Sequence, residues 1–127
     1  MDRILKLTFA IAGAVTLAAP ALAADPAAGA SVFKAECAVC HAHSAGAAPG
    51  VGPNLFGVVG RAAGTEPAYR KQYSPAMKSA GRAWTPAALK LYLASPGKVI
   101  TGNRMPYVGL HDPAKLDNLV TYLTTLR

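Results

Sequence analysis

Only two of the 127 residues are cysteine, Cys37 and Cys40. A structural zinc site draws four ligands from well-separated pairs, so two thiols in one short segment exclude it. Stretches that alternate between apolar and polar residues are also missing. Their absence removes the βαβ setting a thioredoxin-like Cys-x-x-Cys requires, and it predicts an all-α fold. Beyond residue 23 no apolar run approaches the roughly 20 residues that span a bilayer. Internal repeats, charge blocks and a domain linker are lacking as well; Ala42 to Gly52 is low in complexity but too short to separate two domains. Aromatic residues make up 7% of the chain and much of its 52% hydrophobic content is alanine, so side chains alone would fill only a modest interior.

The one long apolar run lies at the N-terminus. Arg3 and Lys6 precede Leu7 to Ala19, and Ala21-Leu22-Ala23 offers small residues to a signal peptidase. The pattern predicts a secretory leader over residues 1–23 and a single domain over 24–127, starting at Ala24 or Asp25; kept uncleaved, the leader would instead be an anchor. An exported, periplasmic protein follows. Acidic residues are scarce, six against 13 basic. One acidic and two basic residues fall in the leader, which leaves a formal +6 on the domain. Such a surface favours acidic protein partners. The basic residues are scattered and the chain is exported, which argues against nucleic acid and leaves anionic membrane as a peripheral contact at most.

Proline, by contrast, is plentiful and falls in a repeated position. Asp25-Pro26, Ser74-Pro75, Thr85-Pro86 and Asp112-Pro113 each pair a capping residue with proline at the first helical position. They predict a first helix running to Cys37 with Gly29 and Phe33 on one face, a short helix from Pro75 to Ala80, a third from Pro86 to about Ser95 stopped by Pro96-Gly97, and a last helix. The last carries Leu116, Leu119, Val120 and Leu123 at i, i+3, i+4 and i+7. Ala42 to Tyr73 and Gly97 to Leu110 have no regular pattern, and long loops in a small domain usually carry function.

Both cysteines belong to Cys37-Ala38-Val39-Cys40-His41. A plain disulfide across so short a loop would stabilise little and leave His41 unexplained. Two thiols at this spacing followed at once by histidine is the pattern of covalent haem attachment: each thiol adds across one vinyl group, and the imidazole becomes an axial ligand. A flat apolar macrocycle would also supply the core that the side chains lack.

Further landmarks follow in order. Gly29 and Phe33 precede the motif; then come Gly52-Pro53-Asn54-Leu55, Gly57, Gly60-Arg61, Tyr73, Trp84, Leu89, Tyr92, Leu93 and Pro96. Gly102-Asn103-Arg104-Met105, Tyr107, Gly109, Leu119 and Tyr122-Leu123 complete the series. Over nearly the whole of residues 24–127 the chain resembles the class I c-type cytochromes, particularly the small soluble ones related to mitochondrial cytochrome c.

The resemblance implies four to five helices and long loops wrapped around one covalent haem c, held by Cys37 and Cys40. It implies Met105 as the sixth iron ligand opposite His41. The rivals are few: Met1 goes with the leader, Met77 falls in a short helix, His43 sits two residues from His41, and His111 abuts the last helix cap. The backbone carbonyl of Pro53 would orient His41, while Arg61, Tyr73, Trp84 and Asn103 would serve the propionates and Tyr92 would contact the cofactor. Taken alone, each aromatic is as readily a core residue. Gly29 and Phe33 would meet Leu119 and Tyr122 where the end helices cross.

A soft thioether favours ferrous iron, so His/Met ligation raises the reduction potential. With both axial positions filled by protein, no substrate reaches the metal. The resemblance thus implies a monomeric single-electron carrier, not an enzyme, serving acidic redox partners in respiratory, photosynthetic or dehydrogenase complexes. A peroxidase or gas binder with a displaceable ligand, and a donor module bound to one enzyme, are the competing readings; a distal histidine and arginine pair for peroxide cleavage is absent. Departures cluster on the surface. Glu36, Gly50, Gly97 and Asp112 stand where mitochondrial relatives carry lysines, although Lys98 and Arg104 still flank Met105. The loop from Gly64 to Tyr73 is also longer than in the mitochondrial protein, as suits a bacterial relative.

Overall fold

Five α-helices order the described residues: α1 (Pro26–Glu36), α2 (Pro75–Lys78), α3 (Pro86–Ala94), α4 (Pro96–Val99) and α5 (Pro113–Thr124). A computed structural model describes residues 13–127, so the first half of the expected leader lies outside the described residues. Residues 13–25 adopt no regular structure, and Val15, Leu17 and Leu22 are almost fully exposed. No strand forms among the described residues; a single bridge joins Ala62 to Ala83.

Proline at the first position works as read because the missing N–H is one no helix needs there. The preceding side chain then satisfies a neighbouring donor: Asp25 accepts from Ala27, Ser74 from Met77, Thr85 from Ala88 and Asp112 from Lys115. Two elements depart from expectation. Pro96 stops α3 as expected but also opens α4, with Ser95 making no side-chain cap. A 3₁₀ turn at Pro67–Tyr69 interrupts the first long loop, and Glu66 caps it through Tyr69 N–H at 2.8 Å.

Helices α1 and α5 cross at Gly29. A methyl group there would strike the Asn118 carbonyl and come within 2.7 Å of Tyr122 Cβ, so only glycine permits this approach. The crossing buries Phe33 and Leu119 completely, and Phe33 packs on Tyr122 with ring centroids 5.5 Å apart. His43 joins the same cluster edge-on to Phe33 at 4.7 Å. Asp25 N–H donates to Asn118 Oδ1 at 2.7 Å, which ties the start of α1 to α5. The exposed Lys90–Asp117 pair between α3 and α5, at 2.5 Å, adds little, as half-exposed ion pairs do.

The long loops are held by side chains in place of a sheet. Buried Asn54 donates to the carbonyls of Ser44 at 2.8 Å and Ala47 at 3.0 Å, and accepts from Phe56 N–H at 2.9 Å. Gly60 N–H to Trp84 O and Trp84 N–H to Arg61 O, at 2.9 and 2.8 Å, set Trp84 beside Arg61. Leu110 N–H donates to Leu93 O at 2.9 Å and lays the second loop along the end of α3.

Candidate functional site

A mainly apolar cleft of about 250 Å³ opens between the loops and α3. Its lining includes Cys37, Cys40, His41, Pro53, Arg61, Tyr73, Trp84, Tyr92 and Met105, nine of the ten residues singled out from the sequence. Asn103 is the tenth, and it does not line the cleft. Its amide donates to the carbonyls of Pro96 and Ile100 at 3.2 and 2.9 Å, and its oxygen accepts from Met105 N–H at 2.8 Å. Its side chain is thus spent on the loop that carries Met105.

The haem motif follows α1 as a tight turn. Cys40 and His41 N–H both donate to Cys37 O at 3.0 Å, which brings both thiols and the imidazole to one cleft. His41 Nδ1 lies 2.7 Å from Pro53 O. A carbonyl only accepts, so Nδ1 carries the proton and a neutral ring keeps its lone pair on Nε2. Burial favours that neutral ring: it lowers the His41 pKa against a smaller opposing pull from the Pro53 bond. Gly52 makes room for the ring, since a methyl group there would collide with it.

Burial, helped by Glu36 and Cys40, pushes the Cys37 thiol up to about 11. A thiol held protonated is a poor partner for thiol–disulfide exchange. Arg61 donates through Nη1 to Asn54 O at 2.9 Å and through Nη2 to Phe56 O at 2.5 Å, with donors to spare toward the cleft. Burial raises the Tyr73 hydroxyl, against opposing pulls from the Glu66 backbone and Arg61. Tyr92 Oη is buried without a partner among the described residues, and burial alone pushes it up to about 12.

Several lining residues escaped the sequence reading. Met77 of α2 shares the cleft with Met105. Tyr69 lines it too and donates to Val51 O at 2.5 Å, bracing the segment that meets His41. Its signal was Glu66-Pro67, a capping pair with glutamate in the cap. Tyr107 donates to Glu36 Oε2 at 3.0 Å across the cleft mouth. Burial, then Glu36, raises that hydroxyl well above its ordinary value.

These donors fit a covalent haem. Two thiols, an imidazole with Nε2 free, thioether sulfurs and an apolar lining surround one space, and the orphaned Tyr92 hydroxyl and spare Arg61 donors await polar partners there. All-α architecture around such a cleft defines a haem-binding protein.

Comparison with known proteins agrees. Residues 24–123 match the family described as cytochrome C oxidase, cbb3-type, subunit III. The cytochrome c2 of Agrobacterium tumefaciens is 47% identical over 102 residues, covering 78% of this chain and 89% of that one. That of Rhodomicrobium vannielii is 39% identical over 121 residues, covering 95% and 94%. Among solved structures, cytochrome cH from Methylobacterium extorquens superposes with a TM-score of 0.71 at 42% identity, covering 80% of this chain and 98% of that one. The chain belongs to the class I c-type cytochromes. It is an electron-transfer protein, not an enzyme, and carries haem c through Cys37 and Cys40.

Proposed function

We propose that this cytochrome is a periplasmic carrier of single electrons with His41 and Met105 as axial ligands, moving between larger redox proteins as a monomer. The observation that carries the reading is the His41 Nδ1 to Pro53 O bond, which leaves Nε2 as the metal-binding atom in a cleft shared with Met105. When bound, the haem iron supplies a one-electron couple. The chain's residues do the rest. Cys37 and Cys40 fix the group, Pro53 orients His41 and raises its basicity, and Asn103 holds the Met105 backbone. Arg61, Tyr73 and Trp84 are suited to the propionates, and Tyr92 offers its unpartnered hydroxyl.

Export rests on the charged start, apolar run and small-residue site of residues 1–23. The irregular, exposed backbone of residues 13–25 is consistent with a leader outside the fold, and among the described residues Asp25 is the first that hydrogen-bonds to the domain. No helix among the described residues is long and apolar enough to cross a membrane. Intact mass of the periplasmic protein should begin at Ala24 or Asp25. The +6 domain suits acidic partners, with Lys98 and Arg104 beside the methionine loop.

An anaerobic, optically monitored redox titration tests the ligation. A positive midpoint and no carbon monoxide binding by the reduced protein are expected; a strongly negative midpoint would sink His/Met ligation. The family description, drawn from an oxidase subunit, favours a second reading in which the chain serves one enzyme complex. Co-purification from native membranes at low salt separates a dedicated subunit from a diffusing carrier.

A further inference from the structure

Met105 sits in a loop fastened on both sides. Upstream, Asn103 accepts the Met105 N–H and anchors itself to Pro96 and Ile100, all within seven residues. Downstream, Tyr107 N–H returns to Met105 O at 2.9 Å, a local turn. The Tyr107 hydroxyl reaches elsewhere. It donates to Glu36 Oε2 at 3.0 Å, 71 positions away, at the last residue of α1 and directly before Cys37. It joins two side chains from segments far apart in the sequence, the Met105 loop and the end of α1.

We propose that Tyr107 and Glu36 form a latch that holds the Met105 loop closed, making both positioning residues that set how easily an outside ligand takes the sixth position. The inference rests on Met105 being the axial ligand. Met105 can withdraw only if its loop swings, and Tyr107, two residues on, must then leave Glu36. Glu36 is exposed and Tyr107 half-buried, so the bond competes with water and contributes modestly. That modest amount enters the open-to-closed ratio directly. An incoming ligand's apparent dissociation constant is its intrinsic value divided by the open fraction, so losing the latch tightens binding by the same factor.

Imidazole added to the ferric, haem-loaded protein and followed by absorbance tests this. Tyr107→Phe and Glu36→Ala should each tighten imidazole binding about three- to tenfold, the range of one partly exposed hydrogen bond. Their combination should be no tighter than either alone, because both break the same bond. Glu36→Gln keeps an acceptor oxygen and should stay within about twofold of the parent. Unchanged affinities, additive effects, or Glu36→Gln matching Glu36→Ala would overturn the latch. The Met105 assignment fails separately, if Met105→Ala binds imidazole no more tightly than the parent.

Discussion

Gly52→Ala adds one methyl group at the point where the chain passes His41. The new Cβ would lie 2.7 Å from Nδ1 and 2.8 Å from Nε2 of the ring, and nearer still to Cε1 between them. Ordinary carbon contacts are about 3.5–4.0 Å, so ring and backbone must separate by roughly 1 Å. The ring's acceptor is on the very next residue, Pro53, so the retreat that relieves the clash stretches the 2.7 Å bond beyond useful range. Gly52 N–H to Cys40 O, at 2.8 Å, is strained with it. Overpacking costs about 1–3 kcal/mol and the hydrogen bond about 1 kcal/mol. Against this, alanine narrows the unfolded ensemble by about 0.4–1 kcal/mol. The net loss is about 2–3 kcal/mol, a fall of roughly 10–20 °C in Tm for a domain this size. Thermal unfolding of the haem-loaded protein by circular dichroism measures it. The potential should also rise by tens of millivolts, because His41 loses the bond that makes it more basic. Gly97→Ala is the control, since its Cβ meets nothing within 4 Å. Parent-like Tm and potential in Gly52→Ala would refute the reasoning.

Gly29→Ala should lower stability by about 2 kcal/mol or more in denaturant melts despite alanine's better helix propensity, because the methyl group meets Asn118 backbone; a stabilised variant would mean that the α1–α5 crossing can open without cost. Cys37→Ala with Cys40→Ala should leave a largely unfolded chain by circular dichroism, since Trp84, Leu89 and Tyr92 face the cleft and lose what covers them; native-like helicity would show a self-sufficient core. Electron transfer to an acidic partner should slow about tenfold from low to high salt in stopped-flow traces, and charge reversal at Lys98 or Arg104 should slow it more than reversal at Lys115; equal effects would move docking to another face.

What the sequence disclosed was local or chemically rare. Capping residue plus proline marked four helix starts, and the packed face of α5 followed from its apolar spacing. Cys37, Cys40 and His41 were legible because so few residues carry that chemistry. What was missed involves the same residues under weaker signals. Pro96 stops α3 as its sequence predicts, but the four-residue α4 that it also opens leaves no signal, because Ser95 makes no side-chain cap. Glu66-Pro67 gives only a weak signal, because glutamate is an uncommon cap. Asn103 has both the chemistry to serve a propionate and the chemistry to hold its own loop, and only the folded backbone decides which. Glu36 with Tyr107, and Met77 within the cleft, depend on contacts between distant segments and leave no periodic trace.

Met77 makes the ligand question concrete, because it lines the same cleft as Met105 and is likewise partly buried. The two differ in how their backbones are held. Met105 lies in an extended loop with its N–H given to Asn103 and its carbonyl to Tyr107, so its position is fixed without a helix to constrain the side chain. Met77 lies in the four-residue α2, its N–H capped by Ser74 Oγ at 3.0 Å, and packs against the core. Met77's carbonyl is also held, accepting from Ala80 N–H at 3.3 Å, so bracketing alone does not choose between them. The choice of Met105 rests on its place in the order of family landmarks and on the longer reach a loop gives its side chain. Met105→Ala should abolish the sulfur-to-iron absorption band of the ferric protein and let the ferrous protein bind carbon monoxide. It should also lower the potential by well over 59 mV, about 1.4 kcal/mol for one electron. Met77→Ala should keep the band and the potential while losing about 1–3 kcal/mol of stability from a half-buried side chain. If the Met77 variant loses the band and the Met105 variant keeps it, the sixth ligand comes from α2, and the loop latched by Tyr107 must serve some purpose other than presenting sulfur to iron.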